Sequence, residues 1–124
     1  MDRPYAAFLG IRIDEDHMGL PVCSMSPSEK NSGHSGMLHG GALAGLLECA
    51  AGVFAESVTN DASIDVQPVS ITVDYMRAAM HAETHANAEI VRRGDRIIHV
   101  DATAWQEDAG KPIAMARLVF SLRR

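Results

Sequence analysis

A carboxylate in the middle of an apolar helical run is the group in this chain best placed to do chemistry. Glu48 lies in the stretch from Gly40 to about Val58, and its neighbours one turn away on either side are Ala44, Gly45, Ala51 and Gly52. None of them is long enough to form an ion pair. Buried in that setting, Glu48 is expected to hold its proton more tightly than an exposed carboxylate and to face open lateral space, the environment in which a glutamate serves as a general base or nucleophile. Immediately upstream stand His39, Gly40 and Gly41. Two glycines at a helix start let the backbone approach a ligand closely, and the unpaired amides there, aided by the helix dipole, can receive a developing oxyanion. The Gly40 amide is the expected donor, with His39 orienting the loop or polarising a carbonyl.

Distance then constrains the architecture. Glu48 lies eight residues beyond Gly40, about 12 Å along a helix. An oxyanion donor and an attacking group must each come within about 3 Å of one carbonyl. One helix does not easily supply both. A two-fold dimer with helices side by side and running in opposite directions brings Gly40 of one chain to Glu48 of the other. Dimerisation is therefore an expected condition of activity.

The elements that hold these groups are legible from pattern. The run from Gly40 is too long for a strand and rich in Ala and Leu, so it is a helix. Its faces differ by size: Leu43, Leu46, Leu47, Ala50, Val53, Phe54 and Val58 form a bulky stripe, and Gly41, Ala44, Gly45, Ala51, Gly52 and Ala55 a small one that contains Glu48. Before the helix, strands are expected at Phe8–Ile13 and Leu20–Met25, followed by a polar loop from Ser26 to Gly36. After it, Thr59 to Pro68 reads as a loop, and strands are expected at Val69–Arg77, Thr84–Arg93, Arg96–Gln106 and Pro112–Arg123. A turn at Glu107-Asp108-Ala109-Gly110 joins the last pair. The order is α+β, with a single helix wrapped by a curled antiparallel sheet of five to six strands.

With 124 residues, the chain reads as a single domain over 1–124, without room for a separate cofactor domain. Its net charge of −5 argues against general nucleic-acid binding, which depends on many Lys and Arg contacts to phosphates. No signal peptide is evident, and Glu48 interrupts the most apolar stretch, so a soluble cytoplasmic protein with no membrane partner is expected. Cys23 and Cys49 fit neither a disulfide framework nor a metal knuckle, and Cys49 reads as core. His81, Glu83 and His85 share a strand face but lack any metal-site spacing, so no metal is expected. Trp105, with Asp101 and Thr103, reads as a packing residue on one strand face.

The motif Gly36-x-x-His39-Gly40-Gly41, with Glu48 nine residues after the His and Ala51-Gly52 beyond it, resembles the hotdog-fold acyl-CoA thioesterases, particularly the phenylacetate-degradation type. Val69 to Ala79 (VSITVDYMRAA) is similar to that family's central strand and its Tyr-Leu-Arg-Pro-Ala-like ending, with Ala78 where Pro is usual. The resemblance covers roughly residues 10 to 122. It implies hydrolysis of an acyl-CoA thioester at a dimer interface, often within a homotetramer, with no cofactor other than the coenzyme A carried by the substrate. Gly40 would be the oxyanion amide, His39 its companion, and Glu48 of the other chain the nucleophile or base. Substrate contacts are expected from Gly41 and Gly52 of the small stripe, from Asn31 and Gly33 in the loop, and from Ser70 near the start of the central strand. The family usually carries Asn or Gln six residues before the motif His; this chain has Gly33, with Asn31, His34 and Ser35 nearby as replacements. Since CoA is polyanionic, Arg92, Arg93 and Arg96 are weak candidates for its phosphates. A hotdog hydratase or dehydratase and a non-catalytic acyl-CoA-binding protein are the competing readings.

Overall fold

The structure is a computed structural model that describes residues 3–34 and 36–124. A short helix, α1 (Pro4–Leu9), leads into β1 (Ile11–Glu15) and β2 (Pro21–Met25), then a single 3-10 turn at Glu29–Asn31. The long helix α2 (Gly40–Thr59) follows, and β3 (Asp65–Tyr75), β4 (Thr84–Arg93), β5 (Ile97–Trp105) and β6 (Ala114–Arg123) complete the chain. The six strands form one antiparallel sheet in the order β1-β2-β4-β5-β6-β3, so the α+β hotdog architecture is present.

The sheet curls around the bulky stripe of α2. Leu43, Leu46 and Leu47 are buried against Ile98, Val100, Leu118 and Phe120, which alternate inward along β5 and β6. Each buried leucine contributes about 1.5–3 kcal/mol through removal from water. By length and composition α2 could cross a membrane, but here this face is the protein core. Asn60, in the left-handed conformation at φ 47°, ends the helix, and its N–H donates to the Glu56 carbonyl.

Two expectations are corrected. Phe8 does not begin a strand: Pro4 fits the first helical turn, and Gly10 closes it at φ 75° with its N–H on the Ala6 and Ala7 carbonyls. The strand starts only at Ile11. The loop expected up to Pro68 is also shorter, because β3 begins at Asp65. Pro68 is tolerated within it because the ladder to β6 shifts register between Pro68 and Ser70, a bulge on the outermost strand.

Candidate active site

The N-terminus of α2 is built from a histidine cap and two glycines. His39 is the cap residue, extended at φ −68° and ψ 131°, and its Nδ1 accepts the Gly41 N–H at 2.9 Å. Because Nδ1 accepts, the neutral ring carries its proton on Nε2 and presents that N–H outward as a donor. The His39 carbonyl takes the amides of Ala42 and Leu43. The Gly40 N–H donates to no acceptor among the described residues. It is thus an exposed first-turn amide at the positive end of a 20-residue helix.

Two chain segments fix this turn from outside. From the loop, the Asn31 carbonyl accepts the His39 N–H at 2.8 Å. From β3, the Tyr75 hydroxyl donates to the Gly40 carbonyl at 2.8 Å. A Cβ added to Gly40 would lie 3.5 Å from that hydroxyl and 3.6 Å from the ring, an ordinary contact distance.

The loop residues take roles that composition does not reveal. Asn31 is fully buried, with its Nδ2 donating to the Ser26 carbonyl and its Oδ1 accepting from the Ser28 N–H and from His81 Nε2. Its side chain is committed to holding the loop together. Gly33 lies directly on the His39 backbone: an added Cβ would sit 3.0 Å from the His39 Cα and the Leu38 carbonyl oxygen. Any side chain at this position must displace the segment that leads into Gly40. His34 is exposed beside it, and Ser35 lies outside the described residues.

Glu48 corrects an expectation. It is exposed in the single chain rather than buried, because Ala44 and Gly45 leave its face of the helix open, and it forms no hydrogen bond or ion pair among the described residues. It lines a cleft of about 400 Å³ whose walls are the small stripe of α2 (Gly41, Ala44, Gly45), α1 (Pro4, Tyr5, Ala6) and the inner face of β3 (Ile71, Val73). Gly45 is small for a reason visible here, since an added Cβ would meet Tyr5 Cε2 at 2.8 Å and Leu9 Cδ1 at 3.0 Å. Gly52 is covered similarly by the Arg3 guanidinium, whose ion-pair partner is Glu56.

The remaining expected residues lie apart from the cleft. Ser70 pairs with Val119 and so faces away from α2, while Ile71, opposite the buried Leu118, faces inward. Arg93 donates to the Val58 carbonyl at the C-terminal end of α2, whereas Arg92, opposite His99 and so on the same outer face as Ser70, lines a shallow groove with Arg96, Asp95 and His99. His81, Glu83 and His85 diverge, bonding respectively to Ser28 and Asn31, to Arg12 and Ser26, and to Ser24. Among the described residues, no group of three or more potential metal ligands converges. Cys23 and Cys49 are buried with their sulfurs 3.9 Å apart, and the Cys49 sulfur together with burial pushes the Cys23 thiol up, away from thiolate chemistry.

Sequence reasoning missed Tyr75 and the α1 wall. The signal for α1 was present in Pro4 and Gly10. Nothing local to Tyr75 reveals that its hydroxyl reaches a glycine carbonyl thirty-five residues away.

A family model described as the acyl-CoA thioesterase N-terminal domain matches residues 28–121. Among solved structures, a Bacillus halodurans protein crystallised with CoA superimposes with a TM-score of 0.86 at 22% identity, covering 99% of this chain and 80% of the other. A thioesterase from Haemophilus influenzae gives 0.85 at 22% identity, covering 95% and 81%. A phenylacetic acid degradation-related thioesterase described as putative, from Ralstonia eutropha, gives 0.83 at 19% identity, covering 98% and 91%. No curated protein matches the sequence significantly.

Proposed function

The chain belongs to the acyl-CoA thioesterase family, with its hotdog fold, and from that premise we propose that it hydrolyses an acyl-CoA thioester to a free acid and CoA, using groups from two protomers. The Gly40 N–H binds the carbonyl oxygen as it becomes an oxyanion, and the Nε2–H of His39 assists. Glu48 of the neighbouring protomer either removes a proton from the attacking water or attacks the carbonyl carbon itself. In the first route the proton taken from water passes on to the departing sulfur; in the second the acyl group is left on Glu48 as a mixed anhydride, which water hydrolyses to the free acid and the restored carboxylate while supplying the proton for the thiolate, so by both the carbon–sulfur bond breaks and CoA leaves as its thiol. No redox or metal cofactor takes part. The reducing cytoplasm, where buried free thiols persist, is the proposed compartment.

The observation that carries this reading is the Gly40 amide, which has no acceptor among the described residues while its neighbour Gly41 is capped. The dimer is supported by β3. This outermost strand is eleven residues long, exposes Val69, Ile71 and Tyr75, and borders the Glu48 cleft. A second protomer aligned along it would also cover Glu48, and two such dimers would make the proposed tetramer. Arg93 lies at the end of α2 opposite to Gly40, so in antiparallel helices it falls on the side of the partner's Gly40, where the CoA arm can extend, and Arg92 and Arg96 line a groove on the outer face of the sheet beside it. The cleft, walled by Tyr5, Ile71 and Val73, suits an aryl or medium-chain acyl group.

The test is free-thiol release from short, medium, long and aromatic acyl-CoAs, with wild type beside Glu48→Ala. Turnover is expected to fall by about two orders of magnitude or more in the variant, with its melting temperature no lower than that of wild type, because Glu48 has no hydrogen-bond or ion-pair partner among the described residues. Unchanged turnover would remove Glu48 from the mechanism. Tight binding without release by wild type would favour a ligand-binding protein.

A further inference from the structure

We propose that Tyr75 is a positioning residue for the oxyanion donor, acting through the Gly40 peptide; this rests on the reading of Gly40 given above. A glycine is an awkward residue from which to aim an amide. With no Cβ it ranges over more backbone conformations than any other residue, and here two stand in succession at the first turn, where helix hydrogen bonding is weakest. Direction must therefore be imposed by neighbours. The amide of Gly41 is held by His39 Nδ1 at 2.9 Å, and the chain entering the turn is held where the His39 N–H meets the Asn31 carbonyl at 2.8 Å. The Gly41 N–H belongs to the same peptide group as the Gly40 carbonyl, and the His39 carbonyl, which accepts from Ala42 and Leu43, belongs to the group that carries the Gly40 N–H, so both planes are held within the turn, but neither bond ties Gly40 to the sheet.

Tyr75 does. Its hydroxyl donates to the Gly40 carbonyl at 2.8 Å and its ring lies along the open side of that glycine. The peptide group that carries the Gly40 N–H is held through the His39 carbonyl, and the next one through His39 Nδ1 and Tyr75 together, so Tyr75 adds a tie from the sheet that fixes the angle between the two groups and with it the direction of the Gly40 N–H. Tyr75 is the last residue of β3 and its partner Ala114 the first of β6, so the hydroxyl is carried by a strand end anchored in the sheet. Because the hydroxyl bonds a carbonyl of the protein, its contribution is to alignment in the transition state and not to ground-state affinity.

Tyr75→Phe keeps the ring and deletes the donor. Expected are a fall of about tenfold in kcat, KM within about twofold of wild type, and amide exchange at Gly41 faster by a similar factor, as one lost hydrogen bond would produce. Exchange at Leu46 and Leu47, deep in α2, is expected to be unchanged. Wild-type kcat together with wild-type Gly41 exchange would overturn the proposal. So would a kcat loss with Gly41 exchange unaltered, which would mean direct contact with substrate, or faster exchange along the whole helix, which would mean a structural role only. If wild type releases no thiol from any acyl-CoA, the hydrolase reading fails and the Gly41 exchange alone decides whether Tyr75 fixes the turn.

Discussion

At the scale of single residues, Glu48 and Glu83 are two carboxylates that the structure treats oppositely. Glu48 has no partner among the described residues and lines the cleft, which is why its removal should reach activity and leave stability alone. Glu83 accepts from the Ser26 hydroxyl and pairs with the Arg12 guanidinium, joining β1 to the segment before β4. The Ser26 hydroxyl first, and then Arg12, hold its carboxyl below the usual value. A carboxylate depressed in the folded state stabilises the protein above its unfolded-state pKa, and that contribution is lost as the pH falls through its folded value. The urea midpoint should therefore drop on acidification from neutral pH, and by less in Glu83→Gln than in wild type. An identical acid response in the two would show that the contact does not contribute. Glu48 stood out in the sequence because a charge among alanines and glycines has few explanations. Asn31 and Gly33 were legible only as polar or flexible loop positions, since a buried side-chain network and a close backbone contact leave no periodic trace.

Among the elements, α2 was readable nearly to its ends because its composition and length leave no competing structure. The N-terminal segment was not, because a short apolar run such as Phe8-Leu9 suits the start of a strand as well as the end of a helical turn, and the choice was made by Pro4 and Gly10. The start of β3 was hidden by Pro68, which usually argues against a strand and here occupies a bulge at the sheet edge. The α2 N-terminus offers a test that separates folding from chemistry. His39→Ala removes the acceptor for the Gly41 N–H and should cost about 0.5–2 kcal/mol of unfolding free energy, the range for losing a helix cap. His39→Asn can accept the same N–H, so it should recover most of that stability in denaturant titrations while turnover stays low. Recovery of turnover as well would mean that the imidazole is only a cap.

For the molecule as a whole, the fold class followed from element order, whereas the proposed pairing of protomers rests in the sequence on a length: the helix rise between Gly40 and Glu48 is several times a bonding distance. The structure adds that the two borders of the sheet are unlike. β1 is five residues long and carries Arg12, Asp14 and Glu15, whereas β3 is eleven residues long and exposes Val69, Ile71 and Tyr75. If protomers pair along β3, Val69→Asp should shift the sedimentation mass toward monomer and lower thiol release in proportion, with recovery at higher protein concentration. A dimer that persists with full turnover would place the contact elsewhere. The asymmetry of the borders has a further consequence. The proposed two-fold contact along β3 would use that border on both copies and leave only the short β1 borders at the outer ends, so growth in the strand-stacking direction would be self-limiting: the sheet would double once, and a ribbon of indefinite length would have nowhere to add.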